Sequence, residues 1–382
     1  NFSKPMLLPL LSCRMVRLTM EHGFCDDSIV GLAVAGLSVF HFTDDIQLAS
    51  HIERVVESLI EESPKKHVLR SRLSHELITL KTITEPMQST TSLIPELYNS
   101  AKLAGDVENA ITCRRHYCLA RFWVGVSDLS SLIQELLQCI KEAGNCQQMN
   151  ALHNTMAILN VSLHLSGGVC AQVHVKSFYE LDEIGERTKD QYLLFHSFAH
   201  QLALNFWMRK YIDVAELTEK YSVKQSYSQM KRIIGTWLTL HKGVAYLNLA
   251  RDTKQVKWKI LGERAVTWMS QLELMSKWNF ENKSKLLQAE LHYLEGDFES
   301  AETAYKASIK SAHDHRFINE EALAYELYGI FCVENKMVNE GLKQLYFALD
   351  NYKQWGAKTK ANELQFLIDL IDINYLKKLT LS

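Results

Sequence analysis

The last third of the chain repeats a pattern of paired helices, and this repeat is the feature that most limits the possible folds. From Phe317 to Leu327, small and large apolar residues alternate at helical spacing with glutamates between them, which predicts an apolar face and an acidic, solvated face. Polar breaks at Gly296-Asp297 and Lys336-Met337 recur about 40 residues apart. Because one helix pair cannot bury both of its apolar faces, such pairs stack. The pattern therefore predicts an all-α fold of stacked helical hairpins, an architecture that usually binds rather than catalyses.

Few residues in the chain interrupt helices. Only 5 prolines and 16 glycines occur in 382 residues, which favours long helices with short turns over a β-rich fold. Apolar residues make up 47% of the chain, enough for a large core. The apolar periodicity predicts helices at 7–23, 28–42, 46–62, 68–83, 91–103, 108–125, 128–143, 147–165, 171–185, 190–208, 211–219, 226–250, 254–275, 282–294, 298–312, 317–334, 338–354 and 358–377.

Small residues at several helix positions predict close helix packing. Ala301 and Gly341 follow polar breaks by about five residues, and together with Ala304 they would let neighbouring helices approach. The longest apolar run, Ile29 to Phe42, contains Gly31 and Gly36 and has about 14 residues, whereas a membrane span needs about 20. We therefore expect a core helix there and no membrane partner.

Charge and cysteine content limit the kinds of partner and the cellular compartment that fit this chain. The formal net charge is −2, without the basic surface that nucleic-acid binding requires. The eight cysteines form no C-x-x-C pair and several lie in apolar helical runs, so we expect free, mostly buried thiols in a cytoplasmic protein. The chain begins with Asn1 and not with methionine, which suggests a fragment of a larger protein.

Several stretches of the last third carry a family resemblance. They are Asn279–Lys283, Ala289–Leu291, Ala301–Ile309, Glu320–Leu327 and Tyr352–Lys360. Together they resemble the TPR-like region of large multidomain signalling ATPases, a group that includes hybrid serine/threonine-kinase and histidine-kinase sensors. The resemblance implies one irregular TPR-like array over 1–382, a right-handed superhelix or solenoid, with a possible seam near 186–190. It also implies that the STAND-type ATPase of such a protein lies outside this chain.

A phosphate-binding loop is absent from the sequence. The pair Gly167-Gly168 is the nearest glycine-rich turn, but no Lys-Ser or Lys-Thr follows it. We therefore expect these glycines to form a turn between two helices, and any ATP site to lie outside this chain.

Two histidines are the main candidates for a metal site. His196 and His200 are four residues apart, which places both imidazoles on one helical face. A third ligand would have to come from elsewhere, for instance from His164 or His174. The alternative interpretation is a pair of histidines in a partly buried helix contact.

Other chemically active residue types have structural interpretations. His313-Asp314-His315 falls at a predicted helix end, where cationic side chains favour the helix dipole. Cys113 and Cys118 would face different directions within one helix. Large aromatic residues at core-like spacing are expected mainly to pack, with a minority lining a concave groove; they are Trp207, Trp237, Trp258, Trp268, Trp278, Tyr293, Tyr305 and Trp355. No catalytic, cofactor-binding or metal-binding residue is assigned, and no cofactor is expected.

The sequence as a whole predicts a non-catalytic interaction and regulatory module of a larger signal-transduction ATPase or kinase. Its partner would be a protein, a peptide or an adjoining domain of the same polypeptide, and the oligomeric state stays open. A stand-alone scaffold that binds a peptide or helix in its concave groove is the alternative. A metal-dependent helical enzyme using His196 and His200 is the third hypothesis.

Overall fold

The regular structure of this protein is helical. The computed structural model describes residues 7–43, 45–125, 128–170, 173–222 and 233–381, and within them every regular element is a helix. The predicted all-α class is therefore confirmed. Residue contacts divide the chain into two compact units, 1–120 with 141–151 and 226–233, and 121–140 with 152–225 and 234–382. The range 186–190 lies inside the second unit, and a single array over the whole chain stays a prediction.

The first unit is a cluster of helices around a larger and a smaller apolar cluster of buried residues. Its helices are α1 (Leu8–His22), α2 (Asp26–Thr43), α3 (Ile46–Glu62), α4 (Lys66–Arg72), α5 (Ser74–Thr84), α6 (Met87–Leu103) and most of α7 (Val107–Val124). Helix α2 contacts α1, α3 and α5, while α6 contacts both α4 and α5. Buried residues such as Ile29, Val56 and Leu97 meet in the core. Helices α2 to α6 therefore each pack on at least two others, whereas α1 packs on α2.

The second unit contains the end of α7 and all or most of each remaining helix. These are α8 (Leu129–Asn145), α9 (Met149–Ser166), α10 (Phe178–Thr188), α11 (Gln191–Trp207), α12 (Tyr211–Ser222), α13 (Ile233–Thr253), α14 (Val256–Met275), α15 (Lys277–Glu295), α16 (Phe298–Asp314), α17 (Ile318–Glu334), α18 (Val338–Trp355) and α19 (Lys358–Leu381). From α14 onward, each helix contacts the next one. This hairpin packing between consecutive helices is compatible with the predicted solenoid.

The turns between helices recur at a constant spacing. Gly296, Arg316, Lys336 and Gly356 all have positive φ, between 60° and 82°, and follow one another at intervals of 20 residues. Only two of the four are glycine, although a left-handed backbone favours glycine. Each repeat of one helix pair is therefore 40 residues long, as the spacing of the polar breaks predicts.

Small residues allow the close helix packing that the sequence predicts. A Cβ atom on Gly341 would lie 2.5 Å from Cγ2 of Val333, so α17 and α18 could not pack this closely around a larger residue. A Cβ atom on Gly31 would lie 2.8 Å from Cβ of Met15 on α1. Close approach at these two glycines is confirmed.

Several predicted helix boundaries need correction. The helix predicted at 68–83 is two helices, which break at the buried Leu73 so that α4 and α5 can both contact α6. The helix predicted at 171–185 begins only at Phe178, because Ser177 and Glu180 form a capping box there. Helix α15 begins five residues before the predicted range 282–294. Of the range predicted at 226–250, residues 226–232 lie outside the described residues.

Two predictions about helices and thiols can be compared with the structure. Over the described part of the chain, no helix combines the length and the apolar character that crossing a bilayer requires. None of the eight cysteines forms a disulfide, but only four are buried: Cys113, Cys118, Cys139 and Cys332. The thiols are therefore less buried than the sequence pattern suggests.

Candidate functional site

Three glutamates of the second unit are buried, although the sequence pattern places glutamates on a solvated face. Glu290 on α15 and Glu320 and Glu326 on α17 are at most 3% exposed. The prediction that the glutamates of α17 lie on a solvated face is therefore wrong for Glu320 and Glu326. Buried carboxylates need counter-charges and donors, and the structure supplies them from neighbouring helices.

Glu326 is held between two cations and a tyrosine. Its Oε1 lies 2.7 Å from Nζ of Lys360 on α19 and 3.4 Å from Nη1 of Arg209 in the α11–α12 turn. Tyr352 on α18 donates its hydroxyl to Oε2 at 2.6 Å. Burial by itself would raise the pKa of Glu326, but Lys360 and Arg209 outweigh burial and hold it below its ordinary value. The side chain is therefore an ionised carboxylate that joins three parts of the unit.

Two further buried ion pairs link other helices of the same stack. Lys283 on α15 lies 2.7 Å from Oε2 of Glu320, and Trp237 on α13 donates its indole N–H to Oε1 at 3.0 Å. Arg251 on α13 lies 2.7 Å from Oε2 of Glu290. Buried ion pairs contribute little net stability, but removing one partner is strongly destabilising. The pairs therefore fix which helix faces meet.

A groove of about 410 Å³ opens beside the Glu326 cluster, and we refer to it as the α17–α19 groove. Its lining residues are Arg209, Glu326, Ile330, Val333, Glu334, Lys360, Glu363, Leu364, Leu367 and Ile371. Five of these are aliphatic, three are carboxylates and two are cations. Partial burial raises the pKa of Glu363 despite the opposing effect of Lys360. The groove thus joins an apolar wall to a charged floor with one carboxylate in excess.

Aromatic rings fill the interior of the second unit. Trp123 at the end of α7 stacks on Trp237, with ring centroids 5.1 Å apart, and Trp207 on α11 lies 5.1 Å from Trp355 on α18. His241 on α13 is buried among these rings, and burial lowers its pKa to about 3. It is therefore neutral over the physiological pH range.

Hydrogen bonds also join residues of the second unit that are far apart in sequence. Asn319 on α17 donates to the carbonyl of Trp123 at 3.3 Å. Thr359 on α19 donates to the carbonyl of His164 at 2.7 Å. A Cβ atom on Gly356 would lie only 2.0 Å from Oδ1 of Asp128. The last helices of the unit therefore pack directly against its first ones.

The histidines considered for a metal site are both fully buried. His196 and His200 stack on one another, with centroids 5.6 Å apart, as their spacing on one helical face predicts. Of the two possible third ligands, His164 bonds to the carbonyl of Asn160, and His174 lies exposed beside Glu180. Among the residues that the structure describes, no group of three His, Cys, Asp or Glu side chains could hold a metal.

The remaining candidates lie at helix ends or inside helices. Asp314 ends α16, His313 lies 3.2 Å from Glu321, and His315 bonds to Ser311 on the preceding turn. Gly167 has a φ of 67° and follows the end of α9, so the predicted turn is confirmed there. Cys113 and Cys118 are both buried in α7.

Sequence reasoning missed the Glu326 cluster and Arg209. Arg209 has a positive φ of 54° in the three-residue turn between α11 and α12, where no glycine marks the break. A signal was present in Glu326, a charged residue whose counterparts 40 residues earlier and later, Leu286 and Phe366, are apolar. Its pairing with Lys360 depends on the register between α17 and α19, which the sequence alone does not give.

Comparisons with known proteins give no family for this chain. No protein-family model matches it, and no curated protein does either.

Proposed function

We propose that this chain is a non-catalytic helical-repeat module that binds a protein partner in the α17–α19 groove. We further propose that it belongs to a larger cytoplasmic signal-transduction ATPase or kinase and relays partner binding to adjoining domains. The observation that carries the proposal is the groove itself, because aliphatic walls around a charged floor are typical of a site for a protein segment. The resemblance of the last third to signalling ATPases supports the regulatory part.

The charges of the groove indicate what the bound segment carries. Its carboxylates outnumber its cations, and Glu334 and Glu363 stand on α17 and α19 at the two sides. A segment with aliphatic side chains and a basic residue would complement this surface, since complementary charge favours specific pairing.

A relay from the groove would run through Glu326. A segment in the groove contacts Lys360 and Arg209, and both cations bond to Glu326. Glu326 also accepts the hydroxyl of Tyr352 on α18. A change at the cations would therefore alter how α18 and α19 pack, and a partner that prefers one packing shifts the population towards it.

Exposed apolar helix faces favour a regulatory module over a stand-alone scaffold. Helix α1 exposes Leu10, Leu11 and Leu18, and α19 exposes Phe366 and Leu370. A stand-alone repeat protein carries polar faces on its terminal helices. Apolar faces instead suit helices that meet further protein surface.

The proposal is tested by retention of cell-extract proteins on immobilised chain. Ile371→Asp places a charge in the groove, Glu363→Lys reverses a rim charge on an exposed position, and Leu274→Asp changes an exposed leucine of α14 as the control. We expect a set of proteins that wild type and Leu274→Asp retain equally and both groove variants lose at least tenfold. Circular dichroism shows whether each variant is folded. Equal retention by all four proteins would overturn the proposal, and so would retention by none.

A further inference from the structure

The turn between α3 and α4 carries a serine–proline pair that is followed by basic residues. Of the five prolines in the chain, only Pro64 follows a serine or a threonine. Lys65, Lys66 and His67 come directly after it. The sequence therefore places a hydroxyl group, that of Ser63, immediately before a proline and three residues before a lysine.

The backbone at Ser63 is extended and lies at the surface. Its φ of −79° and ψ of 135° fall in the extended region, which a following proline favours. Helix α3 ends at Glu62 and α4 begins at Lys66, so neither helix includes Ser63 or Pro64. Ser63 is half-buried and Pro64 is exposed. Oγ of Ser63 accepts the backbone N–H of Lys65 at 3.1 Å, so this bond leaves the hydroxyl proton available for transfer.

The two lysines after Pro64 bind carboxylates of neighbouring helices. Nζ of Lys65 lies 3.0 Å from Asp26 at the start of α2, and Nζ of Lys66 lies 3.9 Å from Glu61 near the end of α3. Each of these four side chains keeps at least 42% of its surface exposed. Exposed pairs of this kind contribute at most about 1 kcal/mol each. Both lysines can therefore leave their carboxylates for a stronger anion.

We propose that Ser63 is a phosphorylation site for a proline-directed protein kinase, and that Lys65 and Lys66 hold the phosphate once it is attached. Such a kinase binds its substrate in an extended conformation and accepts a proline directly after the serine. Its acidic surface pairs with a basic side chain three positions after the serine, here that of Lys66. The site belongs to the first unit and the α17–α19 groove to the second, so the two proposals can be tested independently.

The phosphoryl group comes from a nucleoside triphosphate that the kinase binds. Oγ of Ser63 attacks the γ-phosphorus, a bond forms between these two atoms, and the bond from that phosphorus to the bridging oxygen breaks. The nucleoside diphosphate leaves with the electron pair of the broken bond, and the hydroxyl proton passes to a carboxylate of the kinase. The side chain then carries about two negative charges.

The phosphate competes with carboxylates for the two lysines. It carries about twice the charge of a carboxylate and has three acceptor oxygens, so the ammonium groups pair with it more strongly. Lys65 then leaves Asp26, which connects the turn to α2. Ser63 also ends α3 directly after Glu61 and Glu62, and negative charge at a helix C-terminus is unfavourable. Phosphorylation therefore loosens the turn from α2 and frays the last turn of α3.

The first test incubates the whole chain with a purified cyclin-dependent kinase, a proline-directed enzyme, and radiolabelled ATP. We expect label on the wild type, at least tenfold less label on Ser63→Ala, and at least tenfold slower labelling of Lys66→Gln. Ser130→Ala removes an exposed serine of α8 and is the control, which should match the wild type. Mass spectrometry of the digested chain should place the phosphate on Ser63.

The second test measures where the phosphate binds. The second pKa of a phosphoserine is ordinarily about 6, and neighbouring ammonium groups lower it. Titration followed by phosphorus NMR should give a lower pKa for phosphorylated wild type than for phosphorylated Lys65→Gln. Hydrogen exchange in the last turn of α3 should be faster in the phosphorylated chain than in the unmodified chain.

Several outcomes would overturn the inference. These are no label on the wild type, equal label on Ser63→Ala, a phosphoserine pKa that is the same in Lys65→Gln, and unchanged hydrogen exchange in α3. A synthetic peptide of residues 57–70 is a second substrate for the kinase. Label on the peptide but not on the whole chain would show that the fold hides Ser63, which also contradicts the inference.

Discussion

The two units hold buried charge in opposite ways. In the first unit, one cation, Lys81, lies within 3.3 Å of three carboxylates, those of Glu53, Glu57 and Glu85. In the second unit, one carboxylate, Glu326, lies between two cations. Burial raises the pKa of Glu53 even though Lys81 opposes it, whereas the cations around Glu326 hold its pKa below the ordinary value. Burial of a charge is thus tolerated in both units, but of these two carboxylates it is Glu326 whose neighbours outweigh the effect of burial on the pKa.

Removal of the Glu326 carboxylate should have the largest effect. Glu326→Ala leaves Lys360 and Arg209 without their counter-charge, and breaking a buried pair costs about 3–5 kcal/mol. Urea unfolding followed by circular dichroism measures the loss. The exposed Glu299→Ala serves as the control and should change the free energy of unfolding by less than about 0.5 kcal/mol. A loss below about 1 kcal/mol for Glu326→Ala would show that water replaces the carboxylate and that the two units do not differ.

Helix-end glycines provide a second contrast between the units. Gly105 in the first unit has open space around it, whereas Gly356 in the second lies against Asp128. Gly105→Ala should cost about 1–2 kcal/mol from the left-handed backbone alone. Gly356→Ala should cost about 1–3 kcal/mol more than this, because its methyl group would also overpack against Asp128. Thermal unfolding of the two variants compares them, and equal losses would show that Asp128 moves aside freely.

Glu53 should show the smallest effect, with the opposite sign. Because its folded pKa is raised, the stability linked to its protonation is present at low pH and is lost as pH rises through that pKa. Glu53→Gln mimics the protonated form and leaves Lys81 paired with Glu57 and Glu85. At pH 7 the variant should match or exceed the wild type by up to about 1 kcal/mol, and the gap should close towards pH 4. Urea unfolding at both pH values measures the difference in the free energy of unfolding between the variant and the wild type. A difference that widens at low pH would contradict the prediction.

The sequence predicts the helices better than it predicts their partners. Apolar periodicity places nearly every helix, because burial of one face is a local property of the pattern. The turns at Arg316 and Lys336 lack glycine, yet the apolar pattern still places a break near each of them. The Glu326 cluster joins residues 34 and 117 positions away along the chain. No local pattern specifies such pairs, since the register between helices decides them.

Direct packing between early and late helices has a consequence for how the second unit folds. The bonds from Asn319 to Trp123 and from Thr359 to His164 span 196 and 195 residues. An open repeat array can begin folding at any hairpin and grow outward, because its contacts are local. Here the second unit also has to close loops of nearly 200 residues, and such contacts raise the contact order and slow folding. We therefore expect this unit to fold more slowly than other all-helical proteins, with its first and last helices becoming protected from hydrogen exchange in the same late step.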